Sequence, residues 1–320
     1  MFQRYLFVWV VLLSVLAAMW PTWLPGWQDP FVGTQAVHLR TLFAATMFAI
    51  GWMLPRDEMR QVIRRWPTVF GGTAVQYTVM PLLAAAVAWV AGFDGDLRVG
   101  VIMVGCVPGA MASNVLTLLA RGNVSYSVSL TTAATLVSPL VVPLTLWLAL
   151  GRSVPPERMA DIFFELCLIV VLPVLAGMLL SRLRPGWDGL ARRFGPVIAN
   201  LTILWIIAVV VGKNRAGLAE LEVVLLAALL IINVGGYFAG WGGAALLGLS
   251  ARKRRALVLE VGMQNAGLGS VLATTYFATE AALPPALYTF GCMFTGTLLA
   301  QFWARRAAQN EGSEAIRDTG

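Results

Sequence analysis

The sequence predicts an all-α membrane protein of ten transmembrane helices, arranged as a five-plus-five inverted repeat. Three observations predict it. Of 320 residues, 58% are hydrophobic and only 12% are charged, about half the charged share of an ordinary soluble domain, and the mean hydropathy is +0.76. A water-soluble chain of this composition would expose large apolar patches, so a bilayer is the solvent that fits it. The apolar residues also fall into runs of about 20, the length that crosses a hydrocarbon core. Finally, the density of Lys and Arg alternates from one connecting segment to the next, as it does where such residues orient membrane helices.

The runs lie at about 5–24, 38–55, 68–92, 98–120, 124–150, 159–183, 189–212, 221–248, 254–278 and 284–304. Arg4 and the first run loosely resemble a signal peptide, but bulky residues continue to Leu24, long enough to span. The second is short, bounded by Arg40 and by Pro55-Arg56. The fourth is broken at Pro108-Gly109 and the ninth around Gly262 to Gly267. The rest read as continuous, with Pro81, Pro139, Pro143, Pro173 and Pro196 as candidate kinks. Residues 1–306 are expected to form a single polytopic unit, and 307–320 a disordered cytoplasmic tail.

With the N-terminus in the cytoplasm, seventeen of the 23 Lys and Arg residues fall inside, clustered at 56–65, 182–193, 252–255 and 305–306. Only Arg40, Arg98, Arg152, Arg158, Lys213 and Arg215 fall outside. Both termini are therefore expected in the cytoplasm. The net charge of +7 is accounted for by these short clusters, which argues against a nucleic-acid partner. Because five is odd, the second half enters the membrane from the opposite side, and two halves of like fold form an inverted repeat. Paired breaks in the fourth span of each half mark a candidate binding site.

Cys106, Cys167 and Cys292 lie in apolar runs with no CxxC pair, so each is expected to pack rather than pair. His38 stands at a span end with no Cys or His company, which leaves no zinc or copper cluster and makes it a bystander. Asp161 and Glu165 are placed near the outer end of the sixth span, within reach of water.

Glu260 is different. It lies inside the ninth run, while every Lys and Arg lies at a span end, Arg121 and Arg255 being the nearest. An unpaired carboxylate in a membrane is protonated or holds a cation, and it is a functional candidate. Oxygen donors are at hand: Gln264 and Asn265 beside it, Ser113 and Asn114 after the first break, Ser127, Thr131 and Thr132 in the fifth span, and Gln76 in the third. Ser127 and Thr131 share a helical face. Unwound backbone over Val261 to Met263 adds carbonyls, tolerable only where they line a site. Each hydroxyl alone is more simply read as bonding back to its own helix. Together with a carboxylate they suit a hard cation such as sodium.

The runs Gly105-Cys106-Val107-Pro108-Gly109, Ala112-Ser113-Asn114-Val115 and Arg121-Gly122-Asn123-Val124 resemble the fourth-helix region of the bile acid:sodium symporter family. Glu260-Val261-Gly262-Met263-Gln264-Asn265-Ala266-Gly267-Leu268 resembles its ninth helix. The resemblance implies a panel domain (about 5–55 and 159–212) beside a core domain (about 68–150 and 221–304) in which discontinuous helices 4 and 9 cross. It implies one sodium site at Ser113, Asn114, Ser127, Thr131 and Glu260, and a second at Gln76, Glu260, Gln264 and the carbonyls of Val261 and Met263. Ala110, Met111, Ala112, Asn265 and Met293 would face the substrate. Met111 and Cys292-Met293 depart from the small polar residue and the His-Asn pair common in the family, which bears on substrate rather than on sodium.

The expected activity is symport of an organic anion, a bile acid or a small carboxylate such as pantoate or a keto acid, into the cell with two sodium ions. It would be carried out by a monomer in the inner (plasma) membrane, by alternating access and without enzymatic chemistry. Rival expectations are a proton-coupled carrier using Glu260 alone, an arsenite-type permease using Cys106, a membrane-embedded enzyme, and a non-transporting receptor on the same scaffold.

Overall fold

The computed structural model describes the backbone of residues 6–151, 155–219 and 223–317, and the side chains of all of these except 6–7, 219 and 308–317. Arg4, Arg152 and residues 318–320 of the expected tail lie outside the described residues. In chain order the helices are α1 (Leu6–Trp23), α2 (Ala36–Met53), α3 (Glu58–Arg64), α4 (Trp66–Val90), α5 (Gly95–Cys106), α6 (Ala112–Leu119), α7 (Val124–Leu150), α8 (Pro156–Leu166), α9 (Leu172–Leu183), α10 (Asp188–Lys213), α11 (Arg215–Ala219), α12 (Val223–Leu246), α13 (Ala251–Gly262), α14 (Ala266–Tyr276) and α15 (Leu283–Arg317). No strand occurs among the described residues.

Among the described residues, six segments are long and apolar enough to cross a membrane: Ala36–Met53, Trp66–Val90, Val124–Leu150, Pro156–Leu183, Pro185–Lys213 and Val223–Leu246. Each lies on an apolar run of the sequence. The two interrupted runs divide into α5 and α6, of 12 and 8 residues, and α13 and α14, of 12 and 11. None of these four reaches the roughly 20 residues a crossing needs. Pro81, Pro139, Pro143 and Pro196 lie within helices that continue past them. Pro173 sits in the first turn of α9, just after a π-helical turn at Cys167–Val171. Helix α15 continues to Arg317, past the end of the last apolar run, through a stretch with Ala, Gln and Glu, strong helix formers.

Helix α2 packs on α9 and α10, and α1 on α10. Helix α4 packs on α5, α7 and α12, α12 on α13, and α15 on α12, α14, α5 and α6. Small residues allow the closest crossings. A Cβ on Gly51 of α2 would meet the backbone of Val174, and one on Gly177 of α9 would meet that of Phe48 and Trp52. His38 turns out to be structural: its Nδ1 accepts the Gln35 amide at 3.4 Å and caps α2.

The polar pair on α8 divides. Asp161 is exposed as expected. Glu165, one turn deeper, is not in water: it is 4% exposed, and both its oxygens accept from the Arg40 guanidinium of α2. The Tyr276 hydroxyl, at the end of α14, donates to Glu165 Oε2 at 3.3 Å and to the Asp161 carbonyl at 3.2 Å. The burial follows from depth, since Glu165 faces α2 where an arginine reaches it from the span end. Removing one partner of a buried ion pair strands the other charge. Arg40→Ala should therefore lower stability by about 3 kcal/mol, seen as a fall in melting temperature of the purified protein. The double variant Arg40→Ala/Glu165→Ala should recover much of that fall.

Candidate functional site

The site begins with two breaks that repair each other. The residue before a proline is pushed out of the helical region, and Val107, before Pro108, is extended at φ −77°, ψ 157°. Between α13 and α14 the chain leaves the helix at Met263, φ −114°, ψ 98°. Helix α14 restarts behind Asn265, whose side chain caps it by accepting the Leu268 amide at 3.1 Å. The two irregular segments then run antiparallel, with Gly109 opposite Gln264. Ala110 N donates to the Met263 carbonyl and Asn265 N to the Pro108 carbonyl, each at 2.7 Å. Backbone groups freed by one break are thus satisfied by the other.

Glu260 lies within the last turn of α13, 1% exposed. The Ser113 hydroxyl of α6 and the Thr131 hydroxyl of α7 donate to its Oε2 at 2.6 and 2.7 Å. Its Oε1 is buried and has no hydrogen-bond partner. Arg255 does not neutralise it, because that guanidinium donates to the carbonyls of Ala120 and Arg121 at the end of α6. Thr131 also approaches Asn114 Oδ1 at 3.5 Å, and Ser127 lies beside Thr117 at 3.2 Å and offers its carbonyl to Thr131. Thr132 is buried next along α7. Ser113, Asn114, Thr131 and Glu260 therefore form one hydrogen-bonded group, with Ser127 joined to it through Thr131.

The other candidates make a second chain of contacts. Gln76 of α4 donates from Nε2 to Gln264 Oε1 at 3.3 Å, and Gln264 donates from Nε2 to the Val261 carbonyl at 2.6 Å. The Met263 carbonyl is the one held by Ala110. Ala110, Met111, Ala112, Asn265 and Met293 are half-buried, in contrast to the sealed carboxylate. Asn114 Nδ2 reaches the Met111 sulfur at 3.8 Å.

Two contributors have no counterpart among the residues expected from sequence. The Gly262 carbonyl, next to the break, accepts from Asn233 Nδ2 of α12 at 2.8 Å and from the Tyr288 hydroxyl of α15 at 2.7 Å. Asn233 is held in turn by Thr295, which donates to its Oδ1 at 2.6 Å, and Tyr237 lies 3.0 Å from Thr295. The available signal was Asn233 itself, a lone amide in the run Leu229-Leu230-Ile231-Ile232-Asn233-Val234.

Chemically, the centre offers one carboxylate, hydroxyls, amides and carbonyls, all oxygen donors. Among the described residues no group of three or more His, Cys, Asp and Glu could hold a metal ion. A buried carboxylate with a free oxygen is too costly to keep bare, and this donor set fits a hard, weakly charged cation.

Membrane-spanning helices, paired breaks and a buried carboxylate among oxygen donors point to a polytopic membrane transporter. A profile of the Sodium Bile acid symporter family matches residues 41–221. The chain is 32% identical over 307 residues to an uncharacterized sodium-dependent transporter of Bacillus subtilis (strain 168), covering 95% of this chain and 92% of that one. It is 30% identical over 305 residues to a probable chloroplastic sodium/metabolite cotransporter of Arabidopsis thaliana, 94% of this chain and 73% of that one. It is 31% identical over 248 residues to the ileal sodium/bile acid cotransporter of Oryctolagus cuniculus, 76% of this chain and 70% of that one. The chain belongs to the sodium bile acid symporter family. It is a multi-pass, sodium-dependent membrane transporter and not an enzyme.

Two variants probe this geometry. A Cβ on Gly109 would fall 2.6 Å from the Glu260 carboxyl carbon, so Gly109→Ala should cut sodium-dependent uptake at least tenfold, while the protein still reaches the membrane. Asn233→Leu leaves Gly262 with one donor. At about 1 kcal/mol per hydrogen bond, the sodium concentration for half-maximal uptake should rise roughly fivefold.

Proposed function

We propose that this protein is a ten-span symporter that carries an organic anion into the cell together with two sodium ions, by alternating access. The observation that carries the reading is the Glu260 carboxylate, buried with a free Oε1 and ringed by oxygen donors from α4, α6, α7 and the broken α13–α14 segment. Its first ion would sit among Ser113, Asn114, Ser127, Thr131 and Glu260. Its second would sit among Gln76, Glu260, Gln264 and the Val261 and Met263 carbonyls. In the present arrangement the second set satisfies itself, Gln76 to Gln264 and Gln264 to Val261. An arriving ion must draw those oxygens away from their amide donors.

Charge explains how a carboxylate serves an anion carrier. One Glu260 and two sodium ions leave a centre of net +1. The starts of α6 and α14 add positive helix ends near the pairing of the two breaks. The half-buried Ala110, Met111, Ala112, Asn265 and Met293 are the residues for an anion to meet. Sodium thereby creates the anion site, and the coupling is reciprocal.

The packing of α1, α2, α9 and α10 on one another, and of α4, α5, α7, α12, α13 and α15 on one another, supports a panel and a core that rock against each other. The basic clusters support cytoplasmic termini in a plasma (inner) membrane, and the protein acts as a monomer. A small or medium carboxylate, such as pantoate or a keto acid, is the favoured substrate class, with bile acids as larger surrogates. Reconstituted into liposomes and offered a panel of organic anions, the protein should accumulate its substrate in sodium and not in choline. Glu260→Gln should abolish that uptake. Uptake with unchanged sodium dependence in this variant would overturn the reading.

A further inference from the structure

A second polar feature lies apart from the Glu260 centre. Where α2 passes into α3 and meets the end of α9, a cavity of about 350 Å³ is lined by Arg56, Asp57, Arg60 and Arg182. Three guanidiniums face one carboxylate, an excess of positive charge that invites an anion. The carboxylate is partly engaged, since Asp57 accepts from Gln61 Nε2 at 2.8 Å. Arg56 is fixed in place by Asp188 and by the Pro185 carbonyl. Arg60 and Arg182 are exposed and make no ion pair or hydrogen bond among the described residues. A neighbouring hollow of about 210 Å³ is lined by Trp52, Met53, Leu54, Pro55, Arg56, Ser181, Asp188, Ala191 and Arg192, extending the basic wall.

The surroundings suit a molecule with an acidic head and apolar tails. Trp52 and Trp187 pack edge to face at 6.4 Å beside the cavity, and tryptophans gather at the headgroup level of bilayers. Exposed apolar side chains flank it: Ile63 and Trp66 on one side, Leu179 and Leu183 on the other. Helix α3 is built to lie in that layer, with Glu58 turned inward onto the Ser129 hydroxyl while Arg60, Ile63 and Arg64 face outward. Basic pockets between helix ends are a known setting for anionic headgroups.

We propose that the Arg56–Arg60–Arg182 cavity holds the phosphate headgroup of an anionic membrane lipid, its acyl chains lying along the exposed apolar faces of α3 and α9. The shared chemistry is a phosphate oxygen meeting guanidinium forks. Free phosphate has that chemistry without the chains. The inference stands apart from the sodium sites and does not depend on them.

The test uses the full-length protein purified in a neutral detergent, titrated with phosphatidylglycerol, phosphatidylcholine or inorganic phosphate and followed by thermal shift and by lipid adducts in native mass spectrometry. Phosphatidylglycerol should raise the melting temperature and give a retained adduct, and phosphatidylcholine and inorganic phosphate should do neither. Arg60→Gln/Arg182→Gln should weaken phosphatidylglycerol binding roughly ten- to thirtyfold, from two lost surface charges. Arg305→Gln/Arg306→Gln, which removes equal charge from another exposed cluster, should bind as the parent does. Equal loss in both double variants would mean diffuse attraction and overturn the site. An equal response to inorganic phosphate would overturn the lipid assignment.

Discussion

Two backbone hydrogen bonds, Ala110 to Met263 and Asn265 to Pro108, are the constraint on which the centre of this protein depends. In hydrocarbon, a helix that stops leaves amides and carbonyls with no water to receive them. Each break here would be prohibitive alone. Laid antiparallel, with Gly109 facing Gln264, they complete one another. Neither half-helix pair can be displaced without exposing the other, so the crossing behaves as a single rigid piece. Glu260 projects against that piece and leaves room for nothing larger than glycine at 109.

The same arrangement sets the electrostatics. Sealing a carboxylate from water costs several kcal/mol unless the charge is compensated. Here compensation is incomplete, with two hydroxyls on one oxygen and none on the other. The oxygens around it are engaged in internal bonds, two of them long: 3.3 Å between Gln76 and Gln264 and 3.5 Å between Thr131 and Asn114. The two bonds at the Gly262 carbonyl lie at the last residue of α13, where they hold the end of the helix beside the break. Flexible donors near the charge and fixed donors behind it are what a site needs to accept and release an ion without unfolding.

Much of this was legible in the residues. Apolar runs located the long helices because hydropathy responds to burial in lipid whatever the packing partner. Pro108 announced its break through a local steric rule, and Glu260 was conspicuous as the one deep carboxylate without a basic neighbour. What escaped detection depends on contacts distant in sequence. Glu165 was assigned to water because span ends are usually wet, and only the approach of Arg40 from α2 shows otherwise. Asn233 and Tyr288 are single polar groups in apolar stretches, where bonding within their own helices is the commoner explanation. Their shared target, Gly262, carries no side chain to advertise it.

The two polar centres of the bundle follow one principle at different depths. At Glu260 a carboxylate is sealed from water with one oxygen free, an arrangement suited to a small cation able to shed its hydration. Beside the Arg56–Asp188 pair, the positive charge of Arg60 and Arg182 stands open at the helix ends, where a larger anion can approach without losing all its water. Neither the free oxygen of Glu260 nor the charge of Arg60 and Arg182 meets a partner among the described residues, whereas Glu165 is neutralised by Arg40. Glu58, 1% exposed, is held by the Ser129 hydroxyl and by no ion pair among the described residues, so it is the buried oxygen left without any donor, and not the lack of an ion pair, that sets Glu260 apart. That contrast within one molecule, rather than the presence of charge as such, sets the Glu260 centre and the arginine cavity apart from the pair that holds helices together.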